Sequence, residues 1–223
     1  MNKAIQFGEN VEGYNIPVLN EREIRASAGI YFLVLFCSIM LVHFEGNFLI
    51  LKYFVTIFLT DFIIRIFVNP KFSPSLILGR LIVSRQAPEY VGAPQKKFAW
   101  KIGLGLATIM FFLLIVVNSH SVITAVSCLG CLLFLFVESA FGICLGCIFY
   151  GWYYKEKAEY CSGEICDVTK KQAIQKTSKA QVVIILGFAV YVFLAILILN
   201  DIFSENPGNL WDILSSGNTN FKK

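Results

Sequence analysis

The sequence has few charged residues and lacks the short motifs of common soluble enzymes. Asp, Glu, Lys and Arg make up 15% of its 223 residues, whereas average soluble proteins carry about 25%. It contains no run of like charges suited to nucleic acid, no phosphate-binding glycine loop, no nucleophile elbow and no HExxH motif. The segment 1–25 has no apolar stretch of the kind found in signal peptides, so we expect no cleaved leader. A nucleic-acid partner is therefore not expected.

Apolar residues predominate in the sequence instead. Hydrophobic residues make up 57% of the chain, and Phe occurs 21 times. Because a bilayer core about 30 Å thick needs roughly 20 apolar residues per helix, the blocks predict an all-α integral membrane helical bundle with about five transmembrane helices. The predicted spans are residues 26–43, 48–68, 98–118, 121–150 and 180–200. The block 121–150 is long enough for a tilted helix or for one with a break.

A short helix is predicted between the second and third spans. Ser73 at the N-cap and Pro74 at the first helical position favour a helix start. The segment continues for only about ten residues, to Val83, so we interpret it as an interfacial or re-entrant helix.

The distribution of Lys and Arg predicts the orientation. Three lie in the N-terminal segment, five in the loop 69–97 and six in the loop 151–179, and none lies in the turns at 44–47 and 119–120. Positive residues favour the cytoplasmic side. The predicted organisation is a cytoplasmic segment 1–25, a four-span core 26–150 with an interfacial loop 69–97, a cytoplasmic cysteine-containing loop 151–179, a fifth span 180–200 and an external tail 201–223. We therefore expect a multi-pass protein of the bacterial inner membrane with a cytoplasmic N-terminus.

Four of the seven cysteines follow a C-x2-C-x13-C-x4-C pattern: Cys144, Cys147, Cys161 and Cys166. The first two lie near the end of the fourth span, and the last two lie in the following loop. In a reducing cytoplasm such pairs favour catalytic, redox or metal-binding roles over structural disulfides. They could form a zinc site, a thiol relay, or simply pack as small apolar groups.

Ionisable residues inside predicted spans are the second group of candidates, because burying them in a bilayer is costly. Asp61 and Arg65 are four residues apart in span two and can pair. Glu138 lies in the middle of span four, so we expect it to face the bundle interior, towards span two. Glu138 and the four cysteines are the candidate catalytic residues. Lys52, near the outer end of span two, can extend its amine to the interface.

Several stretches resemble the bacterial membrane family catalogued as domain of unknown function 4395. The similar stretches are Asn69–Pro74, Gly79–Arg80, Gly92–Ala99 and Glu138–Cys147. The resemblance covers roughly residues 17–150 and implies the four-span core. It implies no activity.

Three functional hypotheses remain. In the first, the cysteine pairs exchange electrons or sulfur with a cytoplasmic thiol protein or a quinone-like carrier. In the second, Asp61, Arg65 and Glu138 line a polar path in a small transporter or channel-like protein whose cysteines bind metal. In the third, the chain is a structural subunit. The cofactor is zinc or none, the lipid bilayer is the expected partner, and an oligomer is compatible with each hypothesis.

Overall fold

The computed structural model describes residues 7–11, 14–145 and 178–213, which form an all-α bundle with two very short sheets. The helices of the described residues are α1 (Glu21–Glu45), α2 (Leu49–Ile63), α3 (Pro74–Ile82), α4 (Ala93–Phe111), α5 (Val122–Phe136) and α6 (Lys179–Ser204). Three of them continue into single π-helical turns: α2 into Ile64–Val68, α4 into Phe112–Val116 and α5 into Val137–Phe141. A 3-10 turn, Pro70–Phe72, precedes α3. The predicted fold class is confirmed.

Among the described residues, four helical segments are long and apolar enough to cross a membrane: Glu21–Glu45, Ala93–Val116, Val122–Phe141 and Lys179–Ser204. The segment 49–68 is also apolar, but it carries Lys52, Asp61 and Arg65. All three are buried, with 1%, 0% and 3% of their surface exposed. Many large apolar side chains lie instead on the outside of the bundle, where lipid suits them. The chain is therefore a membrane protein in which these three charged side chains lie inside the bundle.

The predicted short helix is confirmed as α3. Ser73 Oγ accepts a hydrogen bond from the Leu76 N–H at 3.4 Å, and Pro74 occupies the first helical position. The helix packs closely against α1, because a Cβ at Gly79 would collide with the carbonyl oxygen of Glu23. Glycine thus permits the close approach of α3 to α1.

Two small sheets were not predicted. In the first, β1 (Val18–Asn20) pairs antiparallel with β2 (Tyr90–Gly92). In the second, β3 (Ser119–His120) pairs parallel with β4 (Gly208–Asn209). The first sheet joins the start of α1 to the start of α4. Burial, with Glu9 and Glu23 nearby, raises the pKa of Tyr90 to about 12, so its phenol stays protonated within this layer.

The first helix begins before the predicted span 26–43. Asn20 caps α1 by accepting the Arg22 N–H at 3.2 Å, so α1 begins at Glu21. Residues 21–25 are therefore helical, and the position of the segment 1–25 on the cytoplasmic side stays a prediction. At its other end α1 stops at Gly46, whose φ of 65° is left-handed.

The predicted block 121–150 contains a break. The helical segment ends at Phe141, and Gly142 adopts a left-handed conformation with φ 66°, which glycine adopts at little cost. Leu145, the last residue described in this part of the chain, is helical again. The alternative of a broken helix is therefore the correct one.

Aromatic side chains fill the core between α1, α2 and α4. The Tyr31 and Phe58 rings meet edge to face with centroids 5.0 Å apart, and Phe58 lies 4.2 Å from Phe62. A Cβ at Gly103 of α4 would lie 2.8 Å from Phe62 Cε1. Gly103 thus leaves the space that the Phe62 ring occupies.

The close contact at Gly79 gives a stability prediction. Replacing Gly79 by Ala should lower the free energy of unfolding by about 1–3 kcal/mol, because the added methyl group forces α3 away from the α1 backbone. Thermal unfolding of the detergent-solubilised protein measures this. The matched control is Gly105→Ala on α4, where an added Cβ has nothing within 4 Å and a change within about 0.5 kcal/mol is expected. Equal melting temperatures for the two variants would contradict the proposed close packing.

Candidate functional site

Asp61 and Arg65 form a buried ion pair where α2 meets its π turn. Arg65 Nη2 lies 2.9 Å from Asp61 Oδ2, and the two side chains are 4% and 0% exposed. The predicted pairing at a spacing of four residues is confirmed. Arg65 is buried inside the protein, with 3% of its surface exposed.

Serine hydroxyls complete the surroundings of this pair. Ser73 Oγ donates to Asp61 Oδ1 at 2.8 Å, and Ser75 Oγ donates to Asp61 Oδ2 at 2.6 Å. Arg65 Nη2 in turn donates to Ser75 Oγ at 2.5 Å and to Ser27 Oγ at 3.1 Å. A buried ion pair is tolerable only when such hydrogen bonds offset its desolvation. The N-cap of α3 is thus also part of the charge site.

The Arg65 guanidinium lies between two aromatic rings. Its Cζ is 4.6 Å from the Phe62 centroid and 4.7 Å from the Trp100 centroid, within the range of cation–π attraction. Its Nε, which is buried, has no hydrogen-bond partner among the described residues.

Glu138 belongs to a second buried ionic cluster. Lys96 Nζ donates to Glu138 Oε1 at 2.5 Å and to Glu21 Oε1 at 3.0 Å, and it lies 2.8 Å from Glu21 Oε2. The side chains of Lys96, Glu21 and Glu138 are 1%, 0% and 15% exposed. The prediction that Glu138 has a polar partner inside the bundle is confirmed, and that partner is Lys96.

A cavity of about 60 Å³ borders both clusters. Arg65 and Glu138 both line it, together with Tyr31, Trp100 and Cys131. Phe58, Phe62 and Arg65 of span two line the same cavity, whereas the hydrogen-bond partner of Glu138, Lys96, belongs to α4. The orientation of Glu138 towards span two stays a prediction. Arg65 and Glu138 also lie in π-helical turns, which occur frequently at functional sites.

The cysteine predictions fall mostly outside the described residues. Cys144 is buried in the break after Gly142, whereas Cys147, Cys161 and Cys166 are not among the residues described. Within the described ranges, the cysteines are free thiols, and no three His, Cys, Asp or Glu side chains are grouped as metal ligands. The four-cysteine site therefore stays a prediction.

Lys52 anchors the opposite end of α2. Its Nζ donates to Asn118 Oδ1 at 2.8 Å and to the Glu205 carbonyl oxygen at 2.6 Å. The amine thus meets protein acceptors on the loop before β3 and at the end of α6. This supports a structural role for Lys52.

Sequence reasoning did not select Glu21, Lys96 or Ser27 as site residues. Glu21 and Lys96 stand next to apolar spans, where charged residues usually mark the membrane surface. Their positions at the starts of α1 and α4 are the one local signal, because neighbouring helix starts can bring opposite charges together.

One comparison with known proteins matches the part of the chain that contains both charged clusters. A family model described as "Domain of unknown function (DUF4395)" matches residues 19–155, which is more than half of the chain. No curated protein and no solved structure matches the chain. The matched range includes Asp61, Arg65, Lys96, Glu138 and Cys144, whereas α6 lies beyond it. The chain therefore belongs to the DUF4395 family, an uncharacterised family of proteins.

Proposed function

We propose that this protein is a small membrane carrier whose substrate site is the cavity beside Arg65. The observation that carries the proposal is the buried guanidinium on the cavity wall, whose Nε has no hydrogen-bond partner among the described residues. An unsatisfied buried donor costs roughly 1–3 kcal/mol, and more when charged. A solute that offers an acceptor to this N–H would recover that free energy.

Glu138, which also lines the cavity, selects for a hydrogen-bond donor on the solute. Glu138 bonds Lys96 through Oε1, which leaves Oε2 as an acceptor for a donor on the solute. The volume of about 60 Å³ corresponds to only about two water molecules in the liquid. The proposed substrate is therefore a very small polar molecule with an acceptor at one end and a donor at the other.

The apolar side chains that line the cavity favour selective binding of a solute over the free passage of water. Trp100 and Phe62 flank the guanidinium, and Tyr31 and Cys131 add further wall. In such a low-dielectric site each hydrogen bond to a solute is stronger than in water. A solute lacking either polar end would leave one buried group unpaired and bind poorly.

The carrier proposal is tested with purified protein in liposomes. Osmotic light scattering would follow the entry of urea and acetamide as probes. We expect at least one of them to enter faster than into protein-free liposomes. Arg65→Lys should reduce that entry at least tenfold, because Lys lacks the planar Nε donor.

The matched control is Arg22→Lys, at a partly exposed pair with Glu89, which should transport normally. Circular dichroism and size-exclusion profiles would establish that each variant is folded. Entry no faster than into protein-free liposomes for every probe, or normal entry with Arg65→Lys, would refute the carrier.

We further propose that the carrier is inserted in a bacterial inner membrane with its N-terminus in the cytoplasm. The support is the alternation of Lys and Arg between the loops. A reporter that is active only outside the cytoplasm should be active when fused after Lys223. Silence there, together with activity of the same reporter fused near Arg85, would reverse the orientation.

A second candidate function is thiol exchange at Cys144 and Cys147. The specific observation in its favour is the break at Gly142, which leaves Cys144 outside the preceding helix. Arg25 brings a cation next to this break, because a Cβ at Gly142 would lie 3.0 Å from Arg25 Nη1.

Thiol exchange and zinc binding make different predictions for one substitution. If Cys144 and Cys147 exchange disulfides with Cys161, Cys166 or a cytoplasmic thiol protein, Cys147→Ser should trap a mixed disulfide on Cys144. If the four cysteines hold zinc, the same substitution should lower bound metal and trap no adduct. Non-reducing electrophoresis and metal analysis distinguish the outcomes, with the exposed Cys37→Ser as control. Neither an adduct nor a loss of metal would leave the cysteines as packing residues.

A further inference from the structure

Three sulfur-bearing side chains are buried where α4 packs against α5. Cys128 and Cys131 of α5 are each 5% exposed, and Met110, near the end of α4, is 1% exposed. The Cys128 thiol donates to Met110 Sδ at 4.0 Å. Cys131 follows Cys128 by three residues, and residues at that spacing are neighbours on one face of a helix. All three belong to one apolar core, and the carrier function assigns no role to the sulfur atoms of Cys128 and Met110.

The distance between two of these sulfur atoms suits a single metal ion. A bond from a metal to sulfur is about 2.3 Å long, so two sulfur atoms in a trigonal arrangement around the metal lie about 4.0 Å apart. Cys128 Sγ and Met110 Sδ are 4.0 Å apart. An ion can therefore take the place of the thiol hydrogen between them with little movement of either helix.

The chemistry of the three side chains favours Cu(I). Soft thiolate and thioether ligands suit Cu(I), zinc and iron–sulfur clusters. Structural zinc, however, takes four ligands from Cys, His, Asp and Glu, and iron–sulfur clusters usually take four cysteines. Among the described residues, no third side chain of those types is grouped with Cys128 and Cys131. Charge points to the same ion, because one thiolate and one Cu⁺ sum to zero and leave no unpaired charge in the apolar interior.

Cavities give an ion access to the two cysteines. Cys128 lines a cavity of about 280 Å³ that His120 also lines, and His120 is exposed. Cys131 lines the cavity of about 60 Å³ beside Arg65. The larger cavity thus provides a route from the surface at His120 to the Cys128 thiol.

We propose that Cys128, Cys131 and Met110 form a binding site for one cuprous ion. The proposal does not rest on the carrier function. On binding, a bond between Cu(I) and Cys128 Sγ replaces the S–H bond, and the proton leaves to water. The Met110 thioether is a neutral second ligand, and Cys131 supplies the third sulfur atom. Copper stays as Cu(I), so no electron is transferred.

The site is measured by titrating the whole chain with Cu(I) in detergent under anaerobic, reducing conditions. A chromophoric Cu(I) chelator competes for the ion, and its absorbance reports how much copper the protein binds. Met110→Leu, a volume-conserving change that cores tolerate, should bind one equivalent less than the unsubstituted protein. Cys128→Ser should show the same loss, and Cys131→Ser should weaken the binding of this equivalent at least tenfold. Because each result is a difference from the unsubstituted protein, copper held by other cysteines cancels.

The matched controls are Met40→Leu and Cys37→Ser, both on α1, which should bind as much copper as the unsubstituted protein. Circular dichroism and size-exclusion profiles would establish that each variant is folded. Equal copper binding by Met110→Leu and Met40→Leu would overturn the site, as would unchanged affinity in Cys131→Ser. A parallel titration with zinc should not distinguish the two methionine variants. An equal loss of zinc and copper in Met110→Leu would also overturn the site, because the substitution would then act through the fold and not through a soft ligand.

Discussion

The ion pair between Asp61 and Arg65 is the interaction on which the arrangement of the bundle depends. Each charge would be intolerable alone in the interior, since removing one partner of a buried pair costs about 3–5 kcal/mol. Its partners come from different helices: Ser27 from α1 and Ser75 from the first turn of α3. Trp100 of α4 closes the arrangement above the guanidinium. Satisfying this one pair therefore fixes how four helices meet.

The second cluster adds a constraint of a different kind. Lys96 connects the start of α4 to the start of α1 through Glu21 and to the end of α5 through Glu138. The first pair is neutral, and Arg65 Nε is its buried donor without a hydrogen-bond partner among the described residues. The second cluster borders the same cavity through Glu138. The carrier proposal rests on these two features.

The sequence predicted the features that depend on local patterns. The spans follow from apolar length, the start of α3 from Ser73 and Pro74, and the pairing of Asp61 with Arg65 from a spacing of one helical turn. The partner of Glu138 was not predictable in this way, because Lys96 is 42 residues away and only tertiary packing brings the two together. Strands of two or three residues, such as Ser119–His120, are too short for an alternating pattern to indicate them. The cavity was not predictable either, because it is formed by packing between helices and by no single segment.

The left-handed turn at Gly46 has a consequence for how the protein enters a membrane. Asp61 and Arg65 would each oppose insertion of α2 as a single helix, at about 2.5–3.5 kcal/mol per residue near the centre of the bilayer. Gly46 ends α1 with only residues 46–48 before α2 begins, so the two helices form a tight antiparallel hairpin. Within that hairpin Arg65 already reaches Ser27, and the charges of Asp61 and Arg65 neutralise each other. The hairpin, whose outer faces are apolar, then inserts into the lipid as one unit. The apolar surface of α1 offsets the cost of inserting the charged side chains of α2.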